Sequence, residues 1–439
     1  MKGHHNLFLS VRNYKILIFL TVLVGLCLIY FQNSGVYHNK YLPLPREAMK
    51  KMSYSLQLHK YIIDQYYDYR KDLKTSNLGS ILFKRNDKNT LLVEKNRTFT
   101  VLIWRHWEWL KYRHIFRYSS TPHNPLEDCS VNNCEFTGNN RLLDKVDAVV
   151  VHLQKGVLPN VYNRTRTQRW IFLTDESPIH LFENEKNRPN LSDLVNVFNW
   201  SMTYRTDADI PVPYGRTIPL EAPIFTETTN TNITKLIPNW KNKMRDVLAS
   251  ILMSNCGVPY RMKYLNKLKK HMKIDIHGKC SDSHLVNSCP GHFRADCKII
   301  SNYLFYFVLE NSLCKEYITE KLFHQAYAKG AIPIIQGPPL EDCKRLLPPN
   351  SFLHLDEYRS PKKLANEIRN ITSNEDNLLS YHLWRNHFQV INEHGYFGTK
   401  SYHYCRICEA LNYNDETESV YDSVRINNFM DASKSCTRK

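Results

Sequence analysis

The amino-acid sequence predicts an α/β protein with two Rossmann-like halves facing a cleft, preceded by a membrane anchor and a stem. Three observations support this prediction. Short runs of β-branched and aromatic residues alternate with mixed segments, a pattern typical of parallel sheets with crossover connections. A stretch rich in Thr, Asn and Pro, at about 222–240, separates these runs into two groups. One uncharged apolar segment precedes both groups.

The apolar segment at 16–32 follows a short basic tail at 1–15. Residues 16–31 form a run of sixteen without a charge, and Lys2, Arg12 and Lys15 precede it. Basic residues stay on the cytosolic side, so we predict a cytoplasmic tail, a signal-anchor helix and a lumenal remainder. A cleaved signal peptide is the alternative, because sixteen residues is short for a span. We favour the anchor, because no small-x-small cleavage site follows and a short span suits early secretory membranes.

Residues 33–95 are predicted to form a stem. Pro43 and Pro45 interrupt regular structure early, and a helix rich in Tyr and Lys is predicted at 47–73. Its apolar positions are irregular, which argues against a coiled coil. A homodimer formed through the stem is left open.

The formal net charge of +17 raises the question of nucleic-acid binding. The basic residues are dispersed and no RNA-binding pattern of glycines and aromatics is present, which excludes that class. Most of the charge is interpreted as a solvated surface, and part of it would attract an anionic substrate.

Each half is predicted from its own set of strands. The first half, at 96–235, has apolar runs at 99–104, 148–152, 170–173 and 195–204. The second half, at 236–390, has a strand or short helix at 247–253, a basic helix at 261–272, and strands at 274–278, 306–309, 331–335 and 352–355. Pro361 after Ser360 marks the start of a further helix. A tail at 391–439 completes the chain.

The stretch at 306–322 contains the candidate ligand site. An aromatic strand brings Glu310 and Asn311 to its carboxyl end, and a helix then begins with Thr, Glu and Lys. Ligands of open α/β sheets bind outside the carboxyl ends of strands, where helix N-termini favour anions. A lysine for phosphate and a carboxylate for sugar hydroxyls suit a nucleotide sugar.

This stretch resembles the donor-binding signature of the α1,3-fucosyltransferases, FENS…DYxTEKL. Two other segments are similar to family motifs, QRWIFLTDESP at 168–178 and FNWSMTYRTDADIPVPYG at 198–215. The similarity covers about 96–410. It implies GT-B architecture and a single-pass type II Golgi membrane enzyme. Such an enzyme would transfer L-fucose from GDP-fucose to O3 of GlcNAc in glycoprotein glycans, with inversion.

Glu176 is the predicted general base. An inverting transfer needs one carboxylate to accept the proton of the acceptor hydroxyl, and the matching Glu has this role in the family. Glu176 follows a buried strand and precedes Ser177-Pro178, so it can point into the cleft. Asp175 is the rival carboxylate, but neighbouring residues of an extended segment face opposite ways.

Arg261 and Lys321 are predicted to bind the diphosphate, because fixed cations stabilise the charge of the departing nucleotide. The resemblance implies that Tyr317 and Glu320 contact ribose or fucose. It also implies that Asn255, Tyr306 and Asn311 line the nucleotide pocket. From the residues alone, Tyr306 could equally be a core aromatic and Asn311 a cap.

No metal ion or cofactor is predicted to be required, and stimulation by Mn²⁺ is left open. Asp207-Ala208-Asp209 has the spacing of a D-x-D metal site. We interpret it as structural or acceptor-positioning, because it lies in the first half and two carboxylates hold such ions well only beside substrate phosphates.

Twelve cysteines indicate an oxidising compartment. Cys27 lies in the anchor, which leaves eleven and at least one free thiol. A zinc site is not favoured, since only Cys405 and Cys408 have CxxC spacing. The resemblance implies the crossing bonds Cys129–Cys405 and Cys134–Cys408, which would tie the tail to the first half. Cys256–Cys314 is a further candidate pair, and no partner is assigned to Cys280, Cys289, Cys297, Cys343 or Cys436.

Six N-x-Ser/Thr sequons agree with a lumenal chain. They lie at Asn96, Asn163, Asn190, Asn199, Asn232 and Asn370, all beyond the predicted anchor.

Two positions depart from the family pattern. Leu304 stands where a Lys is usual, and His277 replaces a Tyr before Gly278, both near the predicted pocket. These departures keep open an inactive lumenal glycan-binding homologue. Transfer to protein Ser/Thr with the same donor machinery is the other alternative, and the sequence does not choose between the core GlcNAc of N-glycans and antennal LacNAc.

Overall fold

The computed structural model describes residues 56–85, 94–159, 164–182, 188–281, 284–290, 295–417 and 419–437. The predicted cytoplasmic tail, the signal-anchor and much of the stem lie outside these residues. No helix among the described residues is both long and apolar enough to span a membrane. The described residues belong to one unit, Met52–Lys439.

Strands and helices alternate along most of this unit. The strands are β1 (Phe99–Ile103), β2 (Cys134–Thr137), β3 (Ala148–His152), β4 (Arg169–Thr174), β5 (Trp200–Thr203), β6 (Ile210–Pro211), β7 (Gly215–Pro219), β8 (Ala249–Leu252), β9 (Ile274–His277), β10 (Phe305–Leu309), β11 (Ile332–Gln336), β12 (Leu353–His354) and β13 (Phe388–Asn392). The α-helices are α1 (Leu56–Asp68), α2 (Asn77–Phe83), α3 (Trp107–His114), α4 (Asn230–Lys235), α5 (Pro259–Leu268), α6 (Leu340–Leu346), α7 (Pro361–Thr372), α8 (Glu375–Ser380), α9 (His403–Tyr413), α10 (Ser423–Met430) and α11 (Ala432–Ser435). A π-helix spans Lys321–Tyr327. Single 3₁₀ turns lie at Asn140–Leu142, Leu153–Lys155, Pro178–His180, Leu191–Leu194, Trp240–Asn242, His284–Asn287, Lys298–Asn302, Leu355–Glu357, Leu383–Asn386 and Tyr396–Gly398.

The first sheet has six parallel strands in the order β2-β1-β3-β4-β5-β6. Every residue of β3 and β4 is buried, as expected for a parallel sheet covered on both faces. Side chains alternate between the faces: Val101 and Ile103 join one apolar cluster, whereas Leu102 joins another. Helix α9 packs in the first cluster and α10 in the second, so the C-terminal tail covers both faces of this sheet.

The second sheet has five parallel strands in the order β12-β11-β10-β8-β9. Its core includes Leu265 and Leu268 from α5 and Leu364 and Ile368 from α7, so these helices cover one face. Helix α5 begins at Pro259, whose fixed φ and missing N–H suit the first helical turn, two residues before the predicted start. The two parallel sheets confirm the predicted α/β class.

Both sheets share one strand order. Read from β9, the second sheet has the order β9-β8-β10-β11-β12, and the first sheet has the order β2-β1-β3-β4-β5-β6. Numbered within its own half, each sheet therefore has the strand order 2-1-3-4-5, with a sixth strand added in the first half. In such sheets the second strand lies on one side of the first strand, and the third strand lies on the other side. This change of direction opens a crevice at the carboxyl ends of the first and third strands. The crevice of the second half therefore lies between the ends of β8 and β10.

An antiparallel ribbon of β7 and β13 lies outside both sheets. The described part of the predicted stem packs against it: the Tyr66 hydroxyl donates to Thr217 O at 2.5 Å, and its ring lies 4.7 Å from that of Phe388. Arg70 donates to the carbonyls of Arg345 and Leu346. Helix α1 is therefore part of the folded unit rather than a spacer.

Disulfides join the tail to both halves. Cys129–Cys405 and Cys134–Cys408, the bonds implied by the resemblance, have Cα–Cα distances of 5.6 and 5.8 Å. The prediction of Cys256–Cys314 is wrong. Cys256 follows β8 and bonds Cys280, which follows the adjacent strand β9, whereas Cys314 follows β10 and bonds Cys436 near the end of the tail. The remaining bond is Cys289–Cys297, and Cys343 is the buried free thiol among the described residues.

One sequon is also corrected. Asn199 is only 2% exposed; its Oδ1 accepts from Trp170 N at 2.9 Å and its Nδ2 donates to Ser419 O at 3.1 Å. A glycan needs an accessible amide nitrogen, so Asn199 is a structural residue. Asn96, Asn190 and Asn370 are exposed and Asn232 is half-buried, whereas Asn163 lies outside the described residues.

Candidate functional site

A cavity of about 580 Å³ opens at the carboxyl ends of β8, β9 and β10. All eight residues predicted to act in catalysis or donor binding line it: Glu176, Asn255, Arg261, Tyr306, Asn311, Tyr317, Glu320 and Lys321. Gly278 turns the chain away after β9 with a φ of +85°, and a Cβ there would lie 2.8 Å from Met253 O. The crevice expected from strand order is therefore the place where the predicted residues meet.

Glu310 organises the cationic wall of this cavity. It is fully buried, and its Oε1 accepts from the backbone N and the hydroxyl of Thr319, each at 2.9 Å. Its Oε2 lies 3.0 Å from the Lys321 Nζ. Burial opposes the charge of this lysine, but Glu310 and Glu320 outweigh burial and raise the pKa of Lys321. Lys321 is therefore a fixed cation.

Lys321 keeps capacity for a ligand. Its ammonium has three donors; two are directed at Glu310 and Thr319, and the third has only a 3.4 Å contact with Glu320 Oε1. The π-helix that begins here is seven residues long, so the side chain rather than the helix end is the feature that would hold an anion.

Arg261 is the second cation of the wall. It is 3% exposed, and its Nε donates to the Glu310 carbonyl at 3.0 Å. Its Nη2 is buried without a hydrogen-bond partner among the described residues. A buried charged donor without an acceptor is costly, and a phosphate oxygen is a suitable acceptor for it.

Tyr306 and Asn311 contribute in different ways. Tyr306 is a fully buried strand residue whose hydroxyl accepts from Leu252 N at 3.2 Å, and burial raises its pKa. It is thus both a core aromatic and part of the cavity wall. Asn311 directs its Nδ2 at Glu176 Oε2, 3.5 Å away. Asn255 lies on the exposed loop after β8, where its Oδ1 accepts from Gly257 N at 3.1 Å.

Glu176 is the carboxylate that the first half contributes. Its Oε2 accepts from the Tyr317 hydroxyl at 2.8 Å, so a residue of the second half orients it. Burial raises the pKa of Glu176, and the bonds from Tyr317 and Asn311 and the charge of Lys321 only partly offset that effect. A carboxylate with a raised pKa, held at the edge of a cavity, is suited to accept a proton.

Asp175 points the other way, into the first half. Its Oδ2 lies 2.7 Å from Arg113 Nη1 and its Oδ1 lies 2.9 Å from His403 Nε2. Burial alone would raise its pKa, but Arg113 and His403 hold the pKa of Asp175 well below the ordinary value. Asp175 is therefore a structural anion, and the alternation of an extended segment explains why only its neighbour reaches the cavity.

Asp175, His394 and His403 are residue types that bind metals, and their ligand atoms lie within 4.8 Å of one another. Arg113 donates to the same aspartate and directs its Nη2 to His394 Nδ1 at 3.1 Å. A permanent guanidinium in the group would repel a metal cation. We therefore interpret the group as a buried ion pair supported by two histidines.

The Asp207-x-Asp209 motif has structural partners. Asp207 pairs with Arg205 at 2.6 Å and with Lys315 at 3.3 Å. Asp209 accepts from Ser201 N at 2.8 Å and from the Tyr421 hydroxyl at 2.6 Å. Neither aspartate lines the cavity.

The two departures from the family pattern do not touch the ligand cavity. Leu304 is fully buried in the core of the second sheet. His277 is also buried, and its ring nitrogens contact Ser288 Oγ at 2.6 Å and Tyr303 OH at 2.9 Å. Neither residue is among those that line the cavity.

Several lining residues were not predicted, among them Tyr214, Gln325, Tyr396 and Phe397. The role of Glu310 was also missed, although it stands inside the recognised motif, because a strand-end Glu gives no sign of what it will contact. Tyr396 and Phe397 come from the tail, at a sequence distance that no local pattern could bridge.

Comparisons with known proteins show which family the chain belongs to. Residues 96–215 match the family model "Fucosyltransferase, N-terminal", and residues 240–427 match "Glycosyltransferase family 10 (fucosyltransferase) C-term". Alpha-(1,3)-fucosyltransferase 7 of Bos taurus is 31% identical over 320 residues, covering 71% of this chain and 81% of the relative. Human 4-galactosyl-N-acetylglucosaminide 3-alpha-L-fucosyltransferase 9 is 31% identical, covering 66% of this chain and 74% of the relative.

A crystal structure of an alpha1,3-fucosyltransferase with GDP-fucose superimposes with a TM-score of 0.42 and 15% identity. It covers 82% of this chain and 95% of that chain, and the similarity is too low to transfer residue positions. The two family models together match most of the chain, and the curated relatives extend over both halves. The chain is therefore a glycosyltransferase and belongs to glycosyltransferase family 10, the fucosyltransferases.

Proposed function

We propose that this enzyme transfers L-fucose from GDP-fucose to O3 of a GlcNAc residue in glycoprotein glycans, with inversion at the anomeric carbon. One observation supports the proposal most directly. A single cavity brings together two cationic side chains of the second half, Arg261 and Lys321, and one carboxylate of the first half, Glu176. These are the groups that an inverting transfer from a nucleoside diphosphate sugar requires.

The leaving diphosphate would lie against Arg261 and Lys321. The unpartnered Nη2 of Arg261 and the third donor of Lys321 supply hydrogen bonds to its oxygens. As the glycosidic bond breaks, negative charge grows on the terminal phosphate, and cations fixed by Glu310 need no reorganisation to stabilise it.

Glu176 would accept the proton of the attacking hydroxyl. Its bond to Tyr317 directs the carboxylate at the cavity, and the raised pKa makes it a stronger base than an exposed glutamate. Attack from the Glu176 side, opposite the diphosphate, inverts the anomeric carbon.

The arrangement corresponds to GT-B architecture, with halves at about 96–235 and 236–390 and a tail at 391–439. We propose that no metal ion is required, because side chains supply the positive charge at the diphosphate. Activity in excess chelator tests this point. Abolition by chelator with recovery on Mn²⁺ addition would contradict it, and a modest stimulation by Mn²⁺ would not.

The apolar segment at 16–32 and the five disulfides of the described residues support a type II Golgi membrane protein with a lumenal catalytic part. Protease protection of the tagged C-terminus in sealed Golgi vesicles is the expected result. Digestion of that tag in intact vesicles would contradict this orientation.

The decisive experiment incubates the lumenal part with GDP-fucose and a panel of acceptors. The panel contains an N-glycan core, an antennal LacNAc and a peptide with Ser and Thr. Mass spectrometry should place a deoxyhexose on O3 of GlcNAc in one of the two glycans. Addition to the peptide hydroxyls, or to no acceptor, would contradict the proposal.

A further inference from the structure

Gln325 is an unexplained polar residue in the cavity wall. It is 1% exposed, and neither its Oε1 nor its Nε2 has a hydrogen-bond partner among the described residues. Most buried side-chain amides are satisfied, because each unpaired group loses its hydrogen bonds to water without replacement. The side chain of Gln325 nevertheless lines the ligand cavity.

The backbone places this amide beside Lys321. Both residues lie in the π-helix, which ends with Ala328 N donating to Phe323 O at 3.0 Å. Bonds from residue i+5 to residue i widen each turn beyond four residues, so Lys321 and Gln325 share one face. Both line the cavity, and π-helical turns of this kind are frequent at functional sites.

The neighbours of Gln325 indicate which part of the ligand it would meet. The ring of the adjacent His324 stacks on Phe397 at 4.5 Å, and Phe397 and Tyr396 line the cavity. Tyr396 lies 6.3 Å from Tyr214, whose ring lies 6.2 Å from that of Tyr317.

Tyr317 in turn donates to Glu176. This aromatic wall leads from His324, the neighbour of Gln325, to the proposed base. Asn255 and Lys279 line the cavity from the loops after β8 and β9. The reacting anomeric carbon must lie near Glu176, so the transferred sugar belongs at the Gln325 end and the nucleoside at the other.

We propose that Gln325 recognises the transferred sugar, with its Nε2–H donating to one hydroxyl and its Oε1 accepting from the next. A primary amide presents a donor and an acceptor side by side, which matches a vicinal diol. Gln325 is thus a specificity-determining residue that distinguishes the sugar nucleotide from the free nucleotide. This inference rests on the proposed function, because it takes the donor to be GDP-fucose.

The test compares GDP-fucose with GDP, two ligands that differ in the sugar. Gln325→Met keeps the length and volume of the side chain and removes both polar groups. By calorimetry, the Kd for GDP-fucose should rise about tenfold, the loss expected for one or two hydrogen bonds, while the Kd for GDP changes less than about twofold. The Tm should equal or exceed that of the unchanged protein, because no satisfied internal bond is removed.

A matched control is Gln336→Met. Gln336 is a buried glutamine with an unpartnered Oε1, but it does not line the cavity. This variant should shift the Kd values for GDP and GDP-fucose equally, if at all.

Three results would overturn the inference about Gln325: equal weakening of both ligands, no weakening of either, or a clear fall in Tm. The first would mean that the amide contacts the nucleotide, the second that it contacts neither, and the third that it has an internal partner. If the unchanged protein binds neither GDP-fucose nor GDP, the proposed function itself fails, which is a separate outcome.

Discussion

The two halves share a strand order but use their buried charges in opposite ways. In the first half, Arg113 is 1% exposed and directs all three of its nitrogens to partners, Asp175 and two atoms of His394. In the second half, Arg261 is 3% exposed, and its Nη2 has no partner among the residues that the structure describes. A buried charge that is paired within the protein makes the fold depend on its partner, whereas one left unsatisfied at a cavity is suited to bind a ligand.

The same contrast applies to the adjacent carboxylates of the first half. Asp175 is neutralised inside the sheet, and its pKa is depressed by Arg113 despite burial. Glu176 faces the second half, and burial raises its pKa. A structural anion and the proposed base are therefore neighbours in the sequence. Substitutions in each half can test the different roles assigned to their charged residues.

The largest effect is expected for Glu176→Gln. The amide keeps the shape of the side chain but cannot accept the proton, so kcat should fall about 10²–10⁴-fold. The Kd for GDP should stay nearly unchanged, because Arg261 and Lys321 remain. Steady-state kinetics and calorimetry check both expectations. A variant with normal kcat would remove Glu176, the proposed base, from the mechanism.

Arg113→Met should affect stability rather than donor binding. It leaves Asp175 buried without its main counter-ion, which should lower the free energy of unfolding by about 3–5 kcal/mol. Denaturant titration measures this loss. The double variant Arg113→Met/Asp175→Leu should recover part of it, because both charges are then removed. An unchanged free energy of unfolding in Arg113→Met would contradict the structural role assigned to the buried charges of the first half.

Arg261→Met, the same substitution in the second half, should affect donor binding rather than stability. Loss of hydrogen bonds from a charged donor should weaken GDP binding about 10–100-fold. The free energy of unfolding should change by no more than about 1 kcal/mol, because Nη2 of the guanidinium has no partner in the described part of the chain. Calorimetry showing unchanged affinity for GDP would refute the role of Arg261.

Tyr317→Phe should have the smallest effect and sharpen the assignment of the base. The Tyr317 hydroxyl bonds the charged form of Glu176 and lowers its pKa, so its loss should raise that pKa further. Glu176 must be deprotonated to act, and activity falls as pH drops through this pKa. The acidic limb of the kcat/KM profile should therefore move to higher pH. An unmoved limb would mean that another group controls it.

The motifs predicted the site well because each brings its side chains to one strand end. Residues 168–178 place Glu176 after β4, and residues 306–322 place Lys321 after β10. Their distance in sequence hid the contact between Tyr317 and Glu176, yet both residues were identified separately. The incorrect Cys256–Cys314 pair shows what the motifs do not predict. A disulfide depends on which loops are neighbours in the folded protein, and no sequence motif specifies that.

The sequence by itself determined the α/β class, the family and eight of the residues that line the cavity. The class depends on apolar periodicity, and the family and the site residues depend on motifs whose residues are close together in sequence, so all are local properties. Tertiary structure alone decided that Glu310 contacts both cations, that Asp175 pairs with Arg113, and that the amide of Gln325 has no partner within the described ranges. Those outcomes depend on which buried polar groups find partners, and the partners come from elements far apart along the chain.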